Sequence, residues 1–313
     1  MKMLRKRLLR PAIAGVLLLF LISGLGACTV VRPVTKIGVI GSFEGLYRRT
    51  GYTILDATRS ALSDPAAPAD FIPLALDDSG VPERAQRAAA KLSLDSELAA
   101  IIGPFLPATL ARASHGLAAD IDWIVPFAVD PAGGFAHPQD TATWLSYLVT
   151  EVARAAQEQG RSRLVLAGWP DATVEPGNDN LLPVAIINSP DELVAGDALL
   201  WLGDPDGAAR FLPLLREKDG TIPFWLAPWG YDPIFIERTS STENVYWIIW
   251  SDSGYNDRKL SRAPSTANAY LTYLATRQVM ALAADTPVIE VPEWHALLYE
   301  IDSNGDPVPL RAN

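Results

Sequence analysis

Asp77 and Asp78 stand side by side at the end of an apolar run and are followed by Ser79 and Gly80. Adjacent carboxylates could hold a metal or work as an acid and base pair. Asp ahead of Ser-Gly at a strand end is more often a turn and cap former, because its side chain bonds backbone N–H groups two residues on. A second dense stretch, SFEGLYRRT, runs from Ser42 to Thr50 and holds Glu44, Tyr47, Arg48, Arg49 and Thr50. Polar and aromatic groups packed this closely suit ligand contact, although each one singly fits a solvated loop equally well. His115, His137 and His295 lie far apart and share no metal-ligand spacing. The chain contains no GxSxG, P-loop or CxxC motif. Asp302, Asn304 and Asp306 faintly echo a calcium loop but lack the downstream glutamate, so Asn304-Gly305 reads as a hairpin turn. The expectation is a protein that is not an enzyme, with no catalytic residues, no metal ligands and no cofactor.

The elements that must position these groups are clearest in residues 75–125. An apolar run ends at Asp77, a helix opens at Pro82, a second apolar run closes at Gly103 and Pro104, and another helix and another run follow. Strand, helix, strand, helix, strand at this spacing predicts parallel pairing through right-handed crossovers. Ligands of such sheets sit at the C-terminal strand ends, here the loops 77–80, 103–107 and 127–134. In the helix from Pro82 to Ser93, Val81, Ala85, Ala88 and Leu92 fall on one face and Arg84, Arg87 and Lys91 on the other. Before it, Lys36 to Gly41 reads as a buried first strand, Gly51 to Leu62 as a helix and Ala69 to Leu76 as the second strand.

With 313 residues, 49% of them hydrophobic, the chain can bury a large core and make two domains. Its formal charge is -10, while the first 27 residues carry five cations and no acid, so the body is more acidic still. Such a surface repels nucleic acid, and no basic stripe argues otherwise. The basic start followed by the apolar stretch from Pro11 to Ala27 reads as an export signal. Leu25, Gly26, Ala27 and Cys28 resemble a lipobox, which implies lipidation on Cys28; an uncleaved membrane anchor is the alternative. Cys28 is the single cysteine, so it has no internal disulfide partner. Either reading places the body outside the cytoplasmic membrane, tethered to it by residues 28–35.

Beyond residue 140 the pattern continues with a helix from Trp144 to Gln159, strands at 163–168, 184–188, 198–202, 224–227 and 245–250, and a helix at 206–218. The stretch from Trp169 to Leu181 has no helical period. Six of the nine tryptophans lie between residues 169 and 250. Most suit core packing on strands, whereas Trp169 and Trp229 follow strand ends and precede Pro or Gly.

KIGVIGSFEG, DDSGVPERAQRAAAKL, AAIIGP and IDWIVPFAVDP resemble the type I periplasmic binding proteins, in the branch of Leu/Ile/Val-binding and amino-acid receptors. PSTANAYLTYLA (264–275) resembles that family's late helix, and LYEIDSNGDPVPL (298–310) its closing hairpin. The resemblance implies an α/β protein of two lobes, each a parallel sheet flanked by helices, joined by a hinge, with a ligand closed between them. Lobe 1 is expected at 36–131 and about 256–290, and lobe 2, abbreviated, at about 140–252 and 291–313. It implies an extracytoplasmic solute-binding lipoprotein that serves an ABC permease, for an amino acid or related small molecule. A non-transport sensor or interaction scaffold of the same fold is the alternative.

In such receptors, hydroxyls and N–H groups at the helix start after the IIGP-like strand hold the ligand carboxylate. Pro107 here removes a hydroxyl and a donor, leaving Thr109. The resemblance further implies contacts at Ala128 to Asp130, and replacement by Trp229 of the acid that grips the ammonium. Asp204 is a polar contact or a helix cap. Glu44, Tyr47, Thr50, Thr109, Ala128, Asp130, Trp169, Asp204 and Trp229 are thus the expected ligand residues.

Overall fold

The structure, a computed structural model, describes residues 34–64, 71–117, 121–131, 133–174, 181–251, 264–284 and 294–310. The expected export signal and lipidation site at Cys28 lie outside the described residues.

The first sheet contains β1 (Thr35–Gly41), β2 (Phe71–Asp77), β3 (Leu98–Ile102), β4 (Asp122–Val129) and the short β5 (Phe135–Ala136), in the order β2-β1-β3-β4-β5. The first four run parallel and β5 pairs antiparallel with β4. Their crossovers carry α1 (Arg48–Leu62), α2 (Pro82–Leu92) and α3 (Pro107–Ala113). Ile37, Val39 and Ile40 of β1 are buried, as a strand covered on both faces requires. On α2, Ala85, Ala88, Ala89 and Leu92 are buried, while Val81 falls outside the buried face because it precedes the helix and stands in extended backbone.

The expected start of α1 is corrected: the helix opens at Arg48, not Gly51, so Arg48, Arg49 and Thr50 occupy its first turn. Gly51 lets that turn close over the end of β1, because a Cβ there would lie 2.0 Å from the Ser42 carbonyl oxygen.

After β5 the chain enters α4 (Thr141–Glu158) and a second sheet. This sheet contains β6 (Arg163–Ala167), β7 (Val184–Ile186), β8 (Asp197–Trp201), β9 (Phe224–Leu226) and β10 (Val245–Ser251). α5 (Pro205–Lys218) and α6 (Pro233–Arg238) complete the helices between its strands. Between β6 and residue 174 no helix forms, and residues 175–180 are not described. α7 (Pro264–Ala283) packs on α1, β3 and β4 of the first sheet, extending well past the expected 275. The closing hairpin, β11 (His295–Ile301) and β12 (Pro307–Pro309), adds to the second sheet by antiparallel pairing with β10. The seven-stranded order is β12-β11-β10-β9-β8-β6-β7. Within it, Arg163 grips Asp197 of the neighbouring strand with two bonds, Nε to Oδ1 at 2.8 Å and Nη2 to Oδ2 at 2.7 Å. Asp197 is fully buried and also accepts from the Val194 N–H, so a charge that burial would penalise is paired and bonded. Both sheets and their helices belong to one packed unit spanning Thr35–Asn313.

Candidate functional site

The C-terminal ends of β1 and β2 meet at the carboxylate pair singled out by the sequence. Asp77 accepts from the backbone N–H groups of Phe43 at 2.7 Å, Glu44 at 2.9 Å and Ser79 at 3.1 Å. Burial opposes its ionisation, but these bonds and the Ser79 hydroxyl together hold its carboxyl below the usual range. Asp78 is buried and accepts from the Ser42 hydroxyl at 2.7 Å and the Gly80 N–H at 2.8 Å; burial pushes its carboxyl up. The pair therefore fixes the loop after β1, which is the turn-and-cap reading. Among the described residues, no group of three His, Cys, Asp or Glu could hold a metal ion.

With that loop fixed, the start of α1 faces the second sheet and its helices, called the second lobe below, the first sheet and its helices being the first. Tyr47 donates its hydroxyl to Asp204 Oδ1 at 2.8 Å. Asp204 caps α5 by accepting from the Gly207 N–H at 2.8 Å, so the alternatives of cap and polar contact are both realised in one side chain. Burial first, and then the Asp204 charge, push the Tyr47 phenol up, keeping it a neutral donor. One turn further, Thr50 donates to Asp232, a buried residue that caps α6 through the Ile234 N–H at 2.9 Å. Arg49 pairs with Glu237 on the exposed side. Three side chains of one helix start thus reach three carboxylates of the opposite lobe.

Aromatic rings fill the space beneath these bonds. Trp229 is 3% exposed, donates its indole N–H to the Gly203 carbonyl at 3.0 Å, and packs on Phe127 of β4 with ring centres 4.8 Å apart. Trp144 joins Phe127 at 6.0 Å, Trp229 at 6.1 Å and Trp169 at 6.2 Å. What remains of the inner cleft, bounded by Ser42, Thr50, Phe127, Trp229, Asp232 and Asn268 among others, is about 20 Å³. That volume holds about one water molecule.

The outer cleft is open. Outside the Tyr47–Asp204 bond lies a groove of about 550 Å³, within the roughly 300–1,000 Å³ range of ligand pockets. Lobe 1 contributes Tyr47, Leu106, Pro107, Ala108, Arg112 and His115, and lobe 2 contributes Trp169, Asp171, Asp204, Asp206 and Arg210.

Of the expected ligand residues, the structure brings Tyr47, Trp169 and Asp204 to the groove, and Tyr47, Thr50 and Trp229 to the inner cleft. Thr109 is fully buried and spends its hydroxyl on the Leu106 carbonyl at 2.8 Å, inside its own helix. Ala128 is buried within β4, and Asp130 forms the turn toward Gly134, its N–H donating to that carbonyl at 3.1 Å. Glu44 is exposed and lines neither cavity. Phe127, Trp144, Asp232, Arg112 and His115 were outside the expected set. For Asp232 a signal existed: Asp232-Pro233 repeats the cap and first-turn proline of Asp204-Pro205.

No family model matches the sequence, and no curated protein does either. Solved structures do match. The branched-chain amino acid substrate-binding protein LivJ from Streptococcus pneumoniae, in complex with isoleucine, aligns with a TM-score of 0.57 at 13% identity, over 88% of this chain and 100% of that one. The leucine-binding protein LivK from Thermotoga maritima gives 0.61 at 15%, over 89% and 98%. An ABC transporter solute-binding protein from R. palustris, in complex with 4-hydroxybenzoate, gives 0.61 at 12%, over 89% and 96%. The chain has the type I periplasmic binding protein fold. Its structural neighbours are binding proteins, and no helix among the described residues is long and apolar enough to cross a membrane.

Proposed function

We propose that the protein is an extracytoplasmic solute-binding lipoprotein, the substrate-binding component of an ABC importer for an amino acid, an aromatic acid or a related small molecule. The observation that carries this reading is the groove of about 550 Å³ at the strand ends between the lobes, with Tyr47, Trp169 and Asp204 on its walls. In this reading the lobes divide as 36–131 with about 256–290, and about 140–252 with 291–313. Cys28 carries the lipid anchor, and a permease in the membrane receives the solute. Thermal-shift screening of the protein against amino acids, amides, aromatic acids and nucleosides tests it, and a solute-dependent rise in Tm is expected. No rise with any class counts against it.

A second reading, an envelope interaction scaffold that takes no solute, is favoured by the inner cleft of about 20 Å³ and by the bonds of Tyr47 and Thr50 that take the place of ligand contacts. A permease and an ATPase encoded beside this chain favour the importer, and their absence with a flat thermal screen favours the scaffold.

A further inference from the structure

The two walls of the outer groove differ in charged groups: lobe 1 offers no acid, and lobe 2 offers Asp171, Asp204 and Asp206 beside Arg210. On lobe 1 its basic side chains are Arg112 and His115, one helical turn apart at the end of α3 and just beyond it. Neither has an ion-pair or hydrogen-bond partner among the described residues, and both are exposed. On lobe 2 the acids are mostly engaged. Asp204 receives Tyr47 and Gly207, and Asp206 is held by Arg210 and Arg238. Asp171, the remaining acid, is exposed. The start of α3 is a poor anion seat, since Pro107 lacks an N–H, Leu106 ahead of it has no side-chain cap, and Thr109 is turned into the helix. A body that is acidic overall thus presents an uncommitted guanidinium and an uncommitted imidazole to one wall of a ligand-sized space, opposite the half-buried indole of Trp169.

We propose that Arg112 and His115 form an anion subsite, so that the groove takes a carboxylate-bearing solute whose flat or apolar body lies on Trp169. The proposal rests on the solute-binding reading and narrows it. A guanidinium meets a carboxylate through two parallel N–H bonds, and the neighbouring imidazole supplies a further donor. Recognition comes from side chains on the far turn of the helix and replaces the donors that Pro107 removes.

Calorimetric titration of the full chain with benzoate, phenylacetate and indole-3-acetate, each against its primary amide, tests the assignment. The acids are expected to bind about tenfold more tightly than the amides, and Arg112→Gln to abolish that preference. His115→Gln should weaken the acids by a smaller factor, and Trp169→Leu should weaken acid and amide alike. Both residues are exposed, so an unchanged Tm for Arg112→Gln and His115→Gln shows that loss of binding is not unfolding. Amides that bind as well as acids, or acids that bind Arg112→Gln unchanged, overturn the subsite. A neutral or cationic solute whose affinity Arg112→Gln spares overturns it while leaving the solute-binding reading standing. Binding of no solute at all removes both.

Discussion

At Tyr47 the hydroxyl that bridges the lobes is buried beside a carboxylate, and burial first, then the Asp204 charge, hold its pKa up so that it stays a donor at neutral pH. Tyr47→Phe removes that donor and the acceptor of the Asp206 N–H, while Asp204 keeps its bond from Gly207. The expected cost is about 1–2 kcal/mol, read as a fall in Tm of about 2–6 °C. An unchanged Tm would mean that the bridge adds nothing to the closed form. Asp78 behaves differently, because burial raises its folded pKa above the unfolded value of about 3.9. Its contribution is fully present below about pH 4 and is lost as pH rises through the folded value. Asp78→Asn keeps a carbonyl for Ser42 and Gly80 but does not titrate. The Tm of the variant minus that of the wild type is therefore expected to be more positive at pH 7 than at pH 4, and a constant difference refutes the assignment. These roles were partly legible. Asp before Ser-Gly pointed to a turn, and Asp before Pro at Asp204 left a cap and a polar contact equally open. The partner of each cap was hidden, since Tyr47 and Asp204 are 157 residues apart and Thr50 and Asp232 are 182 apart. Nor could Thr109 be known to turn inward, because a hydroxyl on a short helix can serve its own carbonyls as readily as a ligand.

At the scale of elements, α1 sits where it does because Gly51 has no side chain. An added methyl would meet the Ser42 carbonyl oxygen at 2.0 Å and its carbon at 2.6 Å, both backbone atoms that cannot swing away. Gly51→Ala is expected to destabilise by about 1–3 kcal/mol or more, whereas Gly220→Ala, where nothing lies within 4 Å, should be nearly neutral. Moving α1 also moves Tyr47, so a cycle combining Gly51→Ala with Tyr47→Phe should be clearly non-additive in chemical denaturation; strict additivity would separate the helix start from the bridge. The alternation of strand and helix was readable from apolar runs and prolines, since parallel strands buried on both faces have continuous apolar sequences. The boundary of α1 was not readable. Arg48, Arg49 and Thr50 have no apolar period, and it is the contacts of Arg49 and Thr50 with the opposite lobe that set these residues in the first turn.

For the whole molecule, the cross-lobe bonds and the packing of Phe127 on Trp229 describe a closed arrangement held by the protein's own side chains. Small-angle scattering without added solute is expected to match the closed form, and Tyr47→Phe combined with Thr50→Val to give a larger radius of gyration. A wild type already as extended as that variant would show that these contacts do not hold the lobes together. The two-lobed plan was legible, through the late helix and the closing hairpin, but the filling of the inner cleft was not. Trp229 at a strand end could equally have stood open to stack on a ligand, and only the arrival of Phe127 and Trp144 from distant segments decides otherwise. The return of the chain also sets a schedule for its synthesis. α7 covers the first sheet and β11 extends the second, so neither lobe has its full set of neighbours until residues beyond 264 are made. At about 5–20 residues per second, the ribosome releases most of the chain before either lobe can finish folding. The topology itself thereby leaves both sheets short of covering partners until most of the chain has been made.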